Sequence, residues 1–217
     1  MPEAPNSADS ETIDLKDPAL AALLAWLIPG CGHWYQGRRA KAVLYFLCIM
    51  GLFSYGVYLS SSNQLCRQGG NKIGYGRAVY FAWQKDDHHL AYLCQIGVGL
   101  PALPAIVQAY RMSNQQKVWW GGFMAPPWPS DQARQAAVVA IQDAAGREGR
   151  NDGDDAKFNL DQPTLDELNR RLPQDFDIAG FFTMVAGLLN VLAIYDAWGG
   201  PVTLQPAEKK EEHEENV

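Results

Sequence analysis

Four places in this 217-residue chain carry side chains that could do chemistry. His33 lies two residues after Cys31, beside Pro29, Gly30 and Gly32. Thiolate and imidazole are both zinc ligands, but a zinc site needs three or four ligands and Cys-x-His supplies two. The simpler reading places His33 at a membrane surface, with Trp34 and Tyr35 as interface anchors. Asp86-Asp87-His88-His89 offers carboxylates and imidazoles, yet four consecutive residues cannot all face one ion in regular structure. It reads as a solvated helix start. Asp152-Gly153-Asp154-Asp155 hints at a calcium loop, which asks for an acid or Asn at its fifth position and Gly at its sixth. Those positions hold Ala156 and Lys157, so the loop is rejected. Asp196 is the strongest candidate. It closes an apolar run, where a carboxylate is costly and often functional, and sits at a helix C-terminus, where the macrodipole disfavours an anion. A base from the loop of residues 61–88 is its expected partner. No nucleophile with a neighbouring base, phosphate loop or catalytic carboxylate pair stands out. No catalytic, cofactor-binding or metal-ligating residue is assigned, no cofactor is implied, and an enzyme is not expected.

The elements that must position these residues follow from where the charges are missing. Mean hydropathy is just below zero and 19% of residues are charged, values typical of a soluble protein. However, Pro18 to Gly37, Ala42 to Cys66, His88 to Tyr110 and Ile178 to Tyr195 contain no Lys, Arg, Asp or Glu. At 19% charge, an uncharged run of 18 residues arises by chance roughly one time in fifty, and a bilayer core asks for about that length. The run Ala42 to Leu59 also lacks the polar face that a surface helix of a soluble bundle shows. The expected fold class is therefore all-α: a polytopic membrane protein with about four transmembrane helices and a soluble stretch between spans three and four. A secretory signal is not expected, since the acid-rich start has Lys16 as its only base before the first apolar run.

Along the chain, residues 1–17 read as a disordered acidic N-terminus and 18–60 as a transmembrane hairpin. Asp17-Pro18 starts its first helix with an N-cap acceptor and a proline in the first turn. Pro29, Gly30 and Gly32 should break that span. Lipid tolerates a break only where neighbours satisfy the freed carbonyls. The short turn at Gly37-Arg38-Arg39-Ala40-Lys41 makes spans one and two adjacent and antiparallel. Residues 61–89 form a polar and aromatic loop, and 90–110 a third span bent by Pro101 and Pro104. Residues 111–177 form a soluble loop. It holds a helix from about Ser130 to Ala145, an acidic linker, and a short helix started by the capping box Thr164 to Glu167. The fourth span covers 178–198, and 199–217 is a disordered acidic tail. Within the fourth span, Thr183, Ala186, Asn190, Ala193 and Ala197 fall on one helical face with Gly187 beside them. Small residues permit close packing in lipid, so this stripe should face the other spans, with Asn190 hydrogen-bonded across. The four cysteines read as small hydrophobes rather than a disulfide framework.

At Pro29-Gly30-Cys31-Gly32-His33-Trp34-Tyr35-Gln36-Gly37-Arg38 the chain resembles the membrane hairpins of the TM-two domain family, over residues 19–59. It departs from them in Pro29 and in part of the Gly37-Arg38-Arg39 turn. Phe181 to Pro201 is similar to an uncharacterised bacterial multi-pass membrane family. Both resemblances imply a membrane hairpin, and neither implies an activity.

The expected role is that of a non-enzymatic integral membrane protein, a scaffold or accessory component acting through protein partners. The alternative is a subunit of a small transporter or channel built on the broken spans. The expected location is the plasma or inner membrane. The lipid bilayer is one partner, with protein partners or self-association through the spans. The acidic tails leave no basic surface for nucleic acid. Arg38, Arg39 and Lys41, the densest basic cluster, should face the cytoplasm.

Overall fold

The computed structural model describes residues 17–61, 76–84, 87–88, 90–114, 116–148, 160, 162–171 and 174–199. It is all-helical apart from one antiparallel ladder, β1 (Trp83–Gln84) with β2 (Asp87–His88). The helices are α1 (Pro18–Leu27), α2 (Cys31–Tyr35), α3 (Arg39–Leu59), α4 (Ala91–Gln95), α5 (Pro104–Ser113), α6 (Asp131–Glu148), α7 (Leu165–Arg171) and α8 (Asp175–Gly199). Among the described residues, α3 and α8 are the two helices long and apolar enough to cross a membrane.

The first and third apolar stretches are not continuous helices. The Asp17 carboxylate caps α1, accepting from the Ala19 N–H at 2.9 Å, with Pro18 in the first turn. Ten residues later Ile28 is extended, Gly30 has φ 86°, and α2 starts afresh. A side chain on Gly30 would run into the Ala42 carbonyl of α3, so only glycine lets the break lie against that helix. The third stretch is more fragmented than a bent span. α4 gives way to 3-10 turns at Ile96–Val98 and Leu100–Ala102, hinged at Gly99 with φ 87°, before α5 begins. Pro101 and Pro104 cannot donate to an α-helical ladder, which accounts for the restart.

α8 is the central post, packing along α3, α1 and α4. It runs antiparallel to α3: Gly56 meets Ala179 and Thr183 at one end, and Tyr45 meets Asp196 at the other. Thr183, Ala186, Gly187, Asn190, Ala193 and Ala197 are all buried, whereas Phe181, Leu188 and Leu192 are exposed. Phe182 and Val185 are half-buried. The core near the α3 C-terminus is built from Ile49, Phe53, Val79, Tyr92 and Met124. Segments 76–80, 116–130 and 162–168 close over that end, the last two joined where the Trp128 N–H donates to the Pro163 carbonyl and the Leu165 N–H to that of Trp128. α6 starts at Ser130, whose hydroxyl accepts from the Ala133 N–H, and α7 at Thr164, whose hydroxyl accepts from the Glu167 N–H. The helices expected near both places are present, α6 running on to Glu148. Cys48 is exposed, and Cys31 and Cys94 are half-buried, so they are less enclosed than small core hydrophobes.

Candidate functional site

The carboxylate of Asp196 ties the basic turn of the hairpin to the C-terminal end of α8. Gly37, with φ 82°, closes α2: its N–H bonds to the Trp34 carbonyl, and the Arg38 N–H to that of His33. This turn brings His33, Arg38 and Lys41 to one side. His33 Nε2 lies 2.8 Å from Asp196 Oδ2, Arg38 Nη2 3.2 Å, Lys41 Nζ 3.3 Å and the Tyr45 hydroxyl 3.5 Å. An ionised carboxylate only accepts, so His33 Nε2 carries the shared proton. Gln36 adds a bond from its amide to the Ala197 carbonyl, and Arg38 Nη1 reaches the Asp196 carbonyl at 3.4 Å.

The four side chains differ in exposure. His33 is fully buried, Arg38 mostly so, Asp196 is about a third exposed (31%) and Lys41 half exposed (49%). The His33 ring lies 4.7 Å from that of Tyr45. His33 is therefore not a surface anchor. The turn at Gly37 directs it inward onto α8, while Trp34 stays exposed. The partners of Asp196 also differ from expectation. Its bases come from the hairpin, because the antiparallel α3–α8 pairing sets the α3 N-terminus beside the α8 C-terminus. Two local conflicts cancel there: an anion at the negative end of α8 faces cations at the positive end of α3. Chemically the arrangement is an ionic clasp.

A second polar point lies midway along α8. Asn190 Nδ2 donates to the Ala25 carbonyl at 3.1 Å and to the Gly97 carbonyl at 2.8 Å, and its Oδ1 has no partner among the described residues. The two helix breaks meet around it. Gly99 abuts the Trp26 carbonyl, and the Trp26 indole N–H donates to Ile96 O at 3.3 Å. Gly187 touches the Cys94 carbonyl so closely that a Cβ has no room. One stripe turn earlier, the Thr183 hydroxyl accepts from Gln95 Nε2 at 2.9 Å, and that amide also bonds to Ala78 O.

A third point was not visible in the sequence. Arg77 is 1% exposed; its guanidinium donates to the Ala125 carbonyl at 3.0 Å and to Gln162 Oε1. Burial lowers its pKa to about 10, so it remains a cation at neutral pH. Only the neighbouring Gly76 and the aromatics Tyr80 and Phe81 could have marked this segment as packed rather than solvated.

Of the remaining sequence candidates, Pro29, Gly30 and Gly32 are buried at the first break and Arg39 is exposed, its guanidinium 5.8 Å from the Trp34 ring centroid. The Asp86 to His89 cluster, apart from the backbone of Asp87 and His88, and the Asp152 to Asp155 segment lie outside the described residues. So do both acidic tails, save Asp17 and Gly199. No cluster of three potential metal ligands occurs among the described residues. No curated protein and no solved structure matches the chain. Residues 20–210 match a family of unknown function, DUF6677, and the chain belongs to that family.

Proposed function

We propose that this is a non-enzymatic, multi-pass protein of a bacterial plasma or inner membrane, a scaffold or accessory component that works through protein partners. The observation that carries the membrane reading is the inverted polarity of α3 and α8. Their outward faces present Leu44, Leu47, Phe181, Leu188 and Leu192, while Thr183 and Asn190 are turned inward. A water-soluble bundle distributes these residue types the other way round. On this reading α1–α2 and α4–α5 are broken passes, giving four in all, and residues 19–59 form a hairpin like that of the TM-two domain family. Arg38, Arg39 and Lys41 face the cytoplasm. The partner reading rests on α6. None of its side chains described is buried, and most helical stability in proteins comes from packing one face against a neighbour rather than from propensity. Retention in the membrane pellet through an alkaline carbonate wash tests the first part, and release into the supernatant ends it. Purification in mild detergent, with identification of proteins lost when residues 131–148 are deleted, tests the second. Identical co-purifying proteins with and without α6 would refute it.

One observation favours a second reading, a subunit of a small transporter or channel. Two broken helices meet at Gly99 and Asn190, and discontinuous helices with free carbonyls build substrate and ion sites in transporters. Ion flux into liposomes holding the purified protein, abolished by Asn190→Leu, would replace the scaffold reading.

A further inference from the structure

We propose that the end of the bundle formed by the α2–α3 turn and the C-terminus of α8 binds the phosphate headgroup of an anionic lipid. This inference rests on the membrane reading above and names a ligand for the same ionic clasp. Arg38, Arg39 and Lys41 bring three basic side chains together, and Asp196 is the one carboxylate they meet among the described residues. Arg38 and Lys41 share that carboxylate, while Arg39 points away from it, over the Trp34 ring. Among the described residues, two charges are left uncompensated at the N-terminus of a 21-residue helix, the end where the dipole favours an anion.

The surroundings identify the anion as a lipid headgroup. Trp34, Tyr195 and Trp198 are all more than half exposed around this end, the residue types that collect at headgroup depth. Along α3, directly after the basic turn, Val43, Leu44 and Leu47 are exposed and offer an acyl chain an apolar surface. A free phosphate ion would use the cations but gain nothing from that surface. A lipid with a net negative headgroup uses both, and basic residues at the membrane surface attract such lipids.

The test uses the full chain purified in a neutral detergent and titrated separately with phosphatidylglycerol, phosphatidylcholine and inorganic phosphate. Bound lipid is counted by native mass spectrometry and stability followed by thermal melting. Phosphatidylglycerol should bind at least tenfold more tightly than phosphatidylcholine and raise the melting midpoint, with inorganic phosphate having little effect. The double variant Arg39→Gln with Lys41→Gln should lose the preference. It keeps His33 and Arg38 on Asp196, and its melting in lipid-free detergent checks the fold. Equal affinity for the two lipids overturns the proposal, as does an equal response to phosphate alone or an undiminished preference in a folded double variant. A parent protein that resists carbonate extraction but shows no preference would refute this inference and leave the membrane reading intact.

Discussion

Asn190 does for the Ala25 carbonyl what Pro29 cannot. In an unbroken helix the N–H of residue 29 would donate to that oxygen, and proline has none; the Asn190 amide donates instead, from 3.1 Å. Its second hydrogen goes to the Gly97 carbonyl at 2.8 Å, four residues before Pro101. A single side chain on α8 thus supplies donors at both helix breaks. Asn190→Leu should therefore lower stability by roughly 1–3 kcal/mol, through two lost bonds and two unmet carbonyls. Asn190→Asp keeps the shape but cannot donate when ionised, and should cost at least as much. Denaturation midpoints in one detergent check both; an aspartate variant as stable as the parent would show that donation is not what matters here.

Gly187 lets the α8 backbone touch the Cys94 carbonyl. Gly187→Ala should cost about 1–3 kcal/mol by overpacking. Leu188→Ala, at a position half exposed on the opposite side, should stay within about 0.5 kcal/mol. Equal losses would mean that α8 does not pack by its small-residue face.

Asp196→Asn removes the charge and keeps the shape, leaving Arg38 and Lys41 without their counter-ion. Because the carboxylate is about a third exposed, the expected cost is moderate, roughly 1–2 kcal/mol. His33→Ala should be coupled to it by at least about 0.5 kcal/mol in a double-mutant cycle. Strict additivity would show that the 2.8 Å contact carries no energy.

Arg77→Met should cost about 1–3 kcal/mol, since the Ala125 carbonyl and Gln162 lose a buried donor. The pH dependence has a definite sign. Burial lowers the folded pKa from 12.5 to about 10, so above that pH the unfolded chain holds a proton that the folded chain has released. Stability contributed through this group therefore rises with pH. The parent should gain on the Arg77→Met variant as melts are taken from about pH 9 to 11, and a constant difference would show that the buried guanidinium keeps its proton throughout.

The elements were legible in the sequence wherever residue type and period agree locally. Asp17-Pro18, the break at Pro29-Gly30, the Thr164 capping box and the stripe from Thr183 to Ala197 each depend on neighbours a few residues away. The clasp was harder to read because His33 and Asp196 are 163 residues apart. No local pattern states the register between the hairpin and α8. Arg38 and Lys41 were conspicuous, but their charge alone indicated orientation and not a partner. The third apolar stretch departs from its expected bend for a related reason. Pro101 and Pro104 suggest a bend, while the full break depends on Gly99 adopting φ 87° against the Trp26 carbonyl, a contact made across the bundle.

Synthesis delivers these partners in an order that has a consequence in a membrane. The hairpin leaves the ribosome before Asn190 and Asp196 are made. Until α8 arrives, the Ala25 and Gly97 carbonyls lack their donor in this fold, and His33 lacks its carboxylate. On the four-pass reading proposed above, bare carbonyls do not rest in hydrocarbon, so the broken segments keep company with water until α8 enters. α8 is the keystone of assembly: a chain stopped before residue 175 is an unfinished structure rather than a smaller bundle.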